Sequence, residues 1–231
     1  MRSIVLLLAI TAALGAIPAA GEQSAVKRLD GSTITPAEID ETVTRLIRAA
    51  EVTGVGIAIL NDAKIAYQKT YGVRDKEKNL PLTRDSVMTA ASFSKVAFAY
   101  LVMQLVDEEV LNLDKPVYKY LPKPMLEYPA YGDLADEPRY KQITARMLLS
   151  HRSGFPNWRW FNKDRKLNIN FEPGSRYAYS GEGIDLLQLI VETITKRPLQ
   201  DLMQERVFQP LGMSRSSMVW ANRFESDYAN G

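Results

Sequence analysis

Cysteine is absent from this 231-residue chain, and histidine occurs once. Without cysteine there is no disulfide and no thiol that could carry a lipid at a processed N-terminus. One histidine and no cysteine leave too few ligands for a zinc enzyme. The single His151 would also have to be the base of any Ser-His-Asp arrangement, and no Gly-x-Ser-x-Gly elbow exists to accompany it. An excess of one charge is missing too. The formal net charge is +2, and the densest basic stretch, Lys163 to Lys166, contains Asp164. That stretch reads as a solvated loop, and a nucleic-acid binder would need a clustered basic face. No internal repeat and no low-complexity segment is present.

A membrane-length apolar run is also lacking. Ile4 to Ile17 is too short and too poorly flanked to span a bilayer. Arg2 precedes it, and Ala19, Ala20 and Gly21 follow. That is the layout of a secretory signal peptide. Residues 1–21 are therefore expected to be removed, which takes away Arg2 and lowers the charge from +2 to +1. The expectation is a periplasmic or secreted protein with no stable membrane anchor after cleavage.

What is present is enough apolar sequence for a full core, 46% of the residues. Thr35, Pro36 and Glu38 form a capping box with proline at the first helical position. Ile39, Val43, Leu46, Ile47 and Ala50 then recur at helical spacing. Val55 to Leu60 and Lys64 to Thr70 predict a β-hairpin turning at Asn61 and Asp62, with the second strand ending near Gly72. Gly54 and Gly56 read as strand-entry glycines, because Ile59 stands where a phosphate-binding loop would need a third. A proline-marked stretch with Pro116, Pro122, Pro124 and Pro129 carries Tyr118, Tyr120, Leu121 and Tyr128, and is expected to be an ordered loop. Helices are expected from Ile143 to Ser150, from Ile184 to Thr195, and from Pro198 to just before Pro210. No convincing strand follows Ser92.

One charge stands out. From Phe93 to Val106 the chain reads FSKVAFAYLVMQLV, apolar on nearly every face, and its only charge is Lys95. Such a helix is normally buried. Ser92 lies three positions before Lys95, on the same helix face, with Cβ atoms about 5–6 Å apart. Burial would push the lysine toward its neutral form. A neutral amine beside a hydroxyl is a general base beside a nucleophile. The start of the helix adds a positive dipole end and a backbone N–H for a developing oxyanion. The spacing alone is weak, since a chain this size holds about one Ser-x-x-Lys by chance. Ser24 and Lys27 match it as well, beside the signal peptide and without meaning. A capping serine followed by a surface-seeking lysine is the plain alternative for Ser92 and Lys95.

Pro173 to Gly183 reads PGSRYAYSGEG, immediately before the helix at Ile184. A tyrosine in such a loop can project its phenol into a cleft. Near a lysine, a phenol can give up its proton and work as base or acid. In isolation, a packing tyrosine is the simpler reading.

Taken together, these segments resemble the serine β-lactamase and penicillin-binding superfamily, in the branch of class C β-lactamases, D-alanyl-D-alanine carboxypeptidases and SxxK esterases. GVGIAIL with YQKTYGVRD is similar to the family's opening hairpin, SFSK to its nucleophile helix, and LVDEEVLNLDKPVYKYLP to the stretch after it. ITARMLLSHRSGFP, PGSRYAYSG and QPLGM resemble later segments in the same order. The resemblance implies an α+β fold in which an antiparallel sheet flanked by helices is joined to a mostly helical subdomain. It divides the chain into residues 1–21 as signal peptide, 22–84 as helix and hairpin, and 85–231 as the helical part with the motifs. The last two together would be one incomplete domain.

By that resemblance Ser92 is the acylated nucleophile, Lys95 helps to take its proton, and Tyr179 rather than Tyr177 completes the base. The reaction would be two-step acyl transfer on an ester, a β-lactam or a D-Ala-D-Ala peptide, with no metal or organic cofactor. The partner would be a small molecule or a peptidoglycan peptide. Asn157 and Trp158 are candidates for the substrate wall. His151 is implied to be structural. Glu108, Leu111 and Asn112 match a class A pattern, but at the end of the nucleophile helix, where the match is coincidental.

Two departures shape the expectation. Gly181 stands where the family often has asparagine, which favours ester or peptide substrates over β-lactams. No Lys-x-Gly or His-x-Gly triplet follows Tyr179. The family's later strands are therefore expected to be missing, and the segment by itself to be poorly active and aggregation-prone. A non-catalytic penicillin-binding or peptidoglycan-sensing module stays open as an alternative.

Overall fold

A computed structural model describes residues 25–229. The expected signal peptide and Ser24 lie outside that range. The described residues form two compact units, one ending at Ser86 and the other Val87–Tyr228.

The first unit opens with two short strands, β1 (Val26–Lys27) and β2 (Thr33–Ile34), paired antiparallel. The helix α1 (Pro36–Ala49) follows, and it starts where the capping box says it should. The Thr35 hydroxyl accepts from the Glu38 N–H at 3.2 Å, and the Glu38 carboxylate accepts from the Thr35 N–H at 2.8 Å. Strands β3 (Gly54–Asn61) and β4 (Lys64–Asp75) make the hairpin, and β5 (Leu80–Pro81) pairs with the end of β4.

The second hairpin strand does not stop near Gly72. It runs through that residue, whose φ is +73°, to Asp75. A Cβ there would lie 2.1 Å from the Thr53 carbonyl, so glycine permits the close crossing rather than ending the strand. Ile39 of α1, Tyr67 of β4 and Val26 of β1 form this unit's small core.

The second unit is helical. A single 3₁₀ turn, Ala91–Phe93, leads into α2 (Ser94–Asp107). Short 3₁₀ turns order the proline-marked stretch between residues 117 and 142. Then come α3 (Ala145–Leu149), α4 (Gly181–Thr195) and α5 (Leu199–Met203), the last continued by one π-helical turn, Gln204–Phe208. Among the described residues no strand follows β5. Phe98, Leu101, Val102 and Leu105 on α2 meet Leu186, Leu187, Ile190 and Val191 on α4 in one core. Each set recurs at three- and four-residue spacing, so each helix buries one stripe.

That stripe corrects the reading of α2 as buried all round. Phe93 is 82% exposed and Val96 71%, and Tyr100 and Met103 are exposed as well. The run is apolar on two faces, and only one of them is packed in this structure. Lys95 is half-buried rather than buried. Among the described residues no helix is long and apolar enough to cross a membrane.

Candidate active site

The site begins with a strained backbone. Ala91 has φ +43°, in the left-handed region that a side chain disfavours. The next residue, Ser92, sits on the single turn before α2, with its hydroxyl exposed. Lys95, in the first turn of α2, donates from Nζ to Ser92 Oγ at 3.2 Å.

Tyr179 reaches the same oxygen from a different segment, donating from its phenol at 2.8 Å. Lys95 Nζ also stands 5.3 Å from the centre of the Tyr179 ring. The hydrogen bond with Ser92, then that with Lys95 and the lysine's charge, hold the phenol below its ordinary value of 10.0. Ser92, Lys95 and Tyr179 therefore meet at one oxygen.

The tyrosine is positioned by the end of α3. Arg152 N–H bonds the Met147 carbonyl at 2.7 Å, and His151 N–H bonds the Leu148 carbonyl at 3.1 Å. These two bonds, with His151 at φ +54°, make a Schellman ending. The bend presents two acceptors to the tyrosine segment. The His151 carbonyl takes the Ala178 N–H at 2.8 Å, and His151 Nδ1 takes the Ser180 N–H at 3.2 Å. Tyr179 lies between those two anchors, its ring 4.5 Å from the imidazole. Burial, with Lys95 nearby, holds His151 below its usual value. A neutral ring is what an accepting Nδ1 requires. His151 is thus a mount for Tyr179.

After Tyr179 the chain enters α4 through a dense cap. Ser180 Oγ accepts from the Gly183 N–H at 2.9 Å and donates to the Pro156 carbonyl at 2.9 Å. Asn157 Oδ1 accepts from the Gly181 N–H at 3.0 Å. Its carbonyl also accepts from the Glu182 N–H at 3.1 Å. The structure therefore places Asn157 as a helix cap, a role set by backbone donors that no side-chain pattern announces. Trp158 does line the cleft, a space of about 350 Å³ shared with Ser92, Lys95, Phe98, Asp185 and Gln188.

Trp158 also accounts for Gly181. A Cβ on Gly181 would lie 2.5 Å from the indole. The ring occupies the space that a side chain at 181 would need. Trp160 stacks on Trp158 at 4.9 Å, with the planes 7° apart. Arg159, between the two tryptophans, grips the first turn of α4. Its Nε and backbone N–H donate to Glu182 Oε1 at 2.9 and 2.8 Å, and its Nη2 to Oε2 at 2.6 Å. The Glu182 carboxylate is almost fully buried, so this pair fixes the tryptophan loop to the helix that follows Tyr179.

Two residues at the site escaped the sequence reading, Glu182 and Asp185. Both are charges in the opening turns of a helix that otherwise packs with apolar residues, which is the signal that could have found them. Glu108, by contrast, caps the far end of α2 and pairs with Arg206, away from Ser92. A larger cavity of about 450 Å³ between Val87 and Tyr228 is lined by Ala91, Ser94 and Met218, but by none of the three meeting residues.

A family model described as Beta-lactamase matches residues 39–231, and so takes in the whole of this constellation. The chain belongs to the Beta-lactamase family. It is 29% identical to Esterase EstB of Burkholderia gladioli, over 88% of this chain and 57% of that protein. Among solved structures it is similar to EstCE1, described as a hydrolase with promiscuous acyltransferase activity, with a TM-score of 0.68 at 24% identity over 83% of this chain and 54% of that one. It is also similar to an octameric penicillin-binding protein homologue from Pyrococcus abyssi, with a TM-score of 0.65 at 22% identity over 85% of this chain and 47% of that one. The chain thus spans about half the length of each. The two structural likenesses establish a β-lactamase-like α+β fold; in this chain Ser92 lies on the turn that leads into α2, and Tyr179 precedes α4.

Proposed function

We propose that this chain carries the nucleophile centre of a secreted or periplasmic serine hydrolase that works through a covalent acyl-enzyme, with esters as the preferred substrates. The observation that carries the reading is the convergence of Lys95 Nζ and the Tyr179 phenol on Ser92 Oγ, at 3.2 and 2.8 Å.

In acylation the Tyr179 phenolate, held by the Lys95 charge, takes the Ser92 proton as Oγ attacks the ester carbonyl. The C–O bond to the alcohol breaks, and the proton passes from Tyr179 to the departing alkoxide. In deacylation Tyr179 takes a proton from water, the hydroxide attacks the acyl carbon, and the proton returns to Ser92. The Ser92 N–H lies at the positive end of α2, where an oxyanion is stabilised. Proton transfer of this kind contributes about 10²–10⁴-fold in rate.

The preference for esters rests on Gly181 and Trp158. No amide projects from position 181, and an indole fills that volume. The name of Esterase EstB and the description of EstCE1 favour the same class. The secreted location rests on the leader-like residues 1–21.

The test is intact-mass measurement after incubation with a short-chain 4-nitrophenyl ester, with Ser92→Ala as control. A mass increase equal to the acyl group, lost in S92A, is expected. No acyl adduct and no hydrolysis would overturn the reading. Cephalosporin hydrolysis that matches or exceeds ester hydrolysis would sink the ester preference alone.

A further inference from the structure

The charge balance of the cleft points to its substrate. Lys95 is the cation among the residues that line it, and Asp185 the carboxylate. Lys95 is already engaged by Ser92 Oγ and by Tyr179. In the state that attacks, the lysine charge is matched by the phenolate. Asp185 is then the cleft's remaining charge: partial burial and Glu182 raise its carboxyl, and Lys95 and Arg159 oppose them from a distance. Among the described residues its carboxylate has no hydrogen-bond or ion-pair partner. Its neighbour Glu182 differs, being fully paired to Arg159.

Helical spacing places Asp185 beside an aromatic wall. Gly181, Ile184, Asp185 and Gln188 are spaced three and four apart and so share one face of α4. Trp158 covers that face at Gly181, one turn before Asp185. Phe98, Ile184, Leu199 and Met218 add apolar lining, and Ser94 and Gln188 add polar groups. A carboxylate with no bonded partner beside aromatic and aliphatic side chains favours an organic cation, the charge meeting the carboxylate and the alkyl groups meeting the apolar part of the wall.

We propose that Asp185 is a specificity-determining residue and that the preferred ester carries a compact alkyl-ammonium group, which lies against the Asp185 carboxylate in the cleft that Ser92 shares. This rests on the hydrolase reading above. Asp185 is exposed, so the ammonium pairs with a carboxylate at the open side of the cleft, where solvent screens part of the attraction.

The experiment compares cationic esters with neutral isosteres in the protein and its variants. For the acyl side the pair is the 4-nitrophenyl ester of 4-trimethylammoniobutyrate against that of 5,5-dimethylhexanoate. For the alcohol side it is choline butyrate against 3,3-dimethylbutyl butyrate. On at least one side the cationic ester is expected to have the higher kcat/KM, by about tenfold. Asp185→Asn brings that ratio down toward one, and Asp185→Glu keeps it. Ratios near one on both sides, or a ratio that D185N leaves unmoved, overturn the assignment while Ser92 still acylates. Failure of every ester to acylate Ser92 removes the hydrolase reading and this inference with it.

Discussion

The Tyr179 phenol bonds Ser92 Oγ at 2.8 Å across 87 positions of sequence. The tyrosine is held by the N–H groups on either side of it, Ala178 donating to the His151 carbonyl and Ser180 to the His151 Nδ1. Replacing Tyr179 with phenylalanine removes the proposed proton acceptor and leaves the ring's packing on His151. Acylation of Ser92 is expected to slow by about 10²–10⁴-fold with the melting temperature little changed. Stopped-flow acylation and a thermal melt check both halves.

The same contact sets a pH dependence. In the proposed reaction the working form of Tyr179 is the phenolate, and Ser92 and Lys95 hold the phenol below its ordinary 10.0. The acylation rate should therefore rise with pH and level off before pH 10. Y179F should lose the rising limb. A rate independent of pH in the wild-type protein would contradict this.

Glu182 and Arg159 form the site's buried ion pair. Arg159→Ala leaves the carboxylate in place without its partner, and such a change costs about 3–5 kcal/mol. The paired change to Met and Leu should cost less than R159A alone. Urea unfolding of the three proteins measures the difference.

Unit one carries its own charge knot. Asp40 on α1 accepts from the Tyr67 phenol, from the Tyr71 phenol at 2.7 Å and from Lys69 Nζ at 2.6 Å. Those bonds, the Lys69 one first, lower the Asp40 carboxyl from 3.8 to about 2. A depressed carboxyl stabilises the fold fully above the unfolded value. The contribution is lost as pH falls from near 4 toward 2. Asp40→Ala should lose about 1–2 kcal/mol at pH 7, a figure reduced by the side chain's partial exposure. The wild-type and variant stabilities should converge near pH 2. Curves that stay parallel across that window would contradict the assignment.

Local chemistry made much of the fold legible. The capping box at Thr35, the hairpin and the helix at Ile184 each rest on neighbours in sequence. Ser92 and Lys95 share a turn, and Tyr179 stood out by its loop before α4. Packing was less legible. The run from Phe93 to Val106 is apolar on two faces, and periodicity does not say which face meets a neighbour. Asn157 was singled out for a side chain that the structure uses on backbone N–H groups. Strands β1 and β2, two residues each, are too short to carry a pattern. Asp185 was passed over because a single acid on a helix reads as a solvated face until its cleft is seen.

Gly181→Ala would drive a methyl to within 2.5 Å of the Trp158 indole. Overpacking of this kind costs about 1–3 kcal/mol. In a Trp158→Ala background the same change should be nearly neutral, and the difference is the coupling energy read by a double-mutant cycle.

One space in the site is therefore shared by two distant codons, and only one of them can fill it. Either first step is damaging: a side chain at 181 overpacks the indole, and a smaller residue at 158 leaves a cavity. The two positions are therefore expected to change together, so that a polar group on α4 at that point comes at the expense of the aromatic wall and of whatever substrate preference the wall supports.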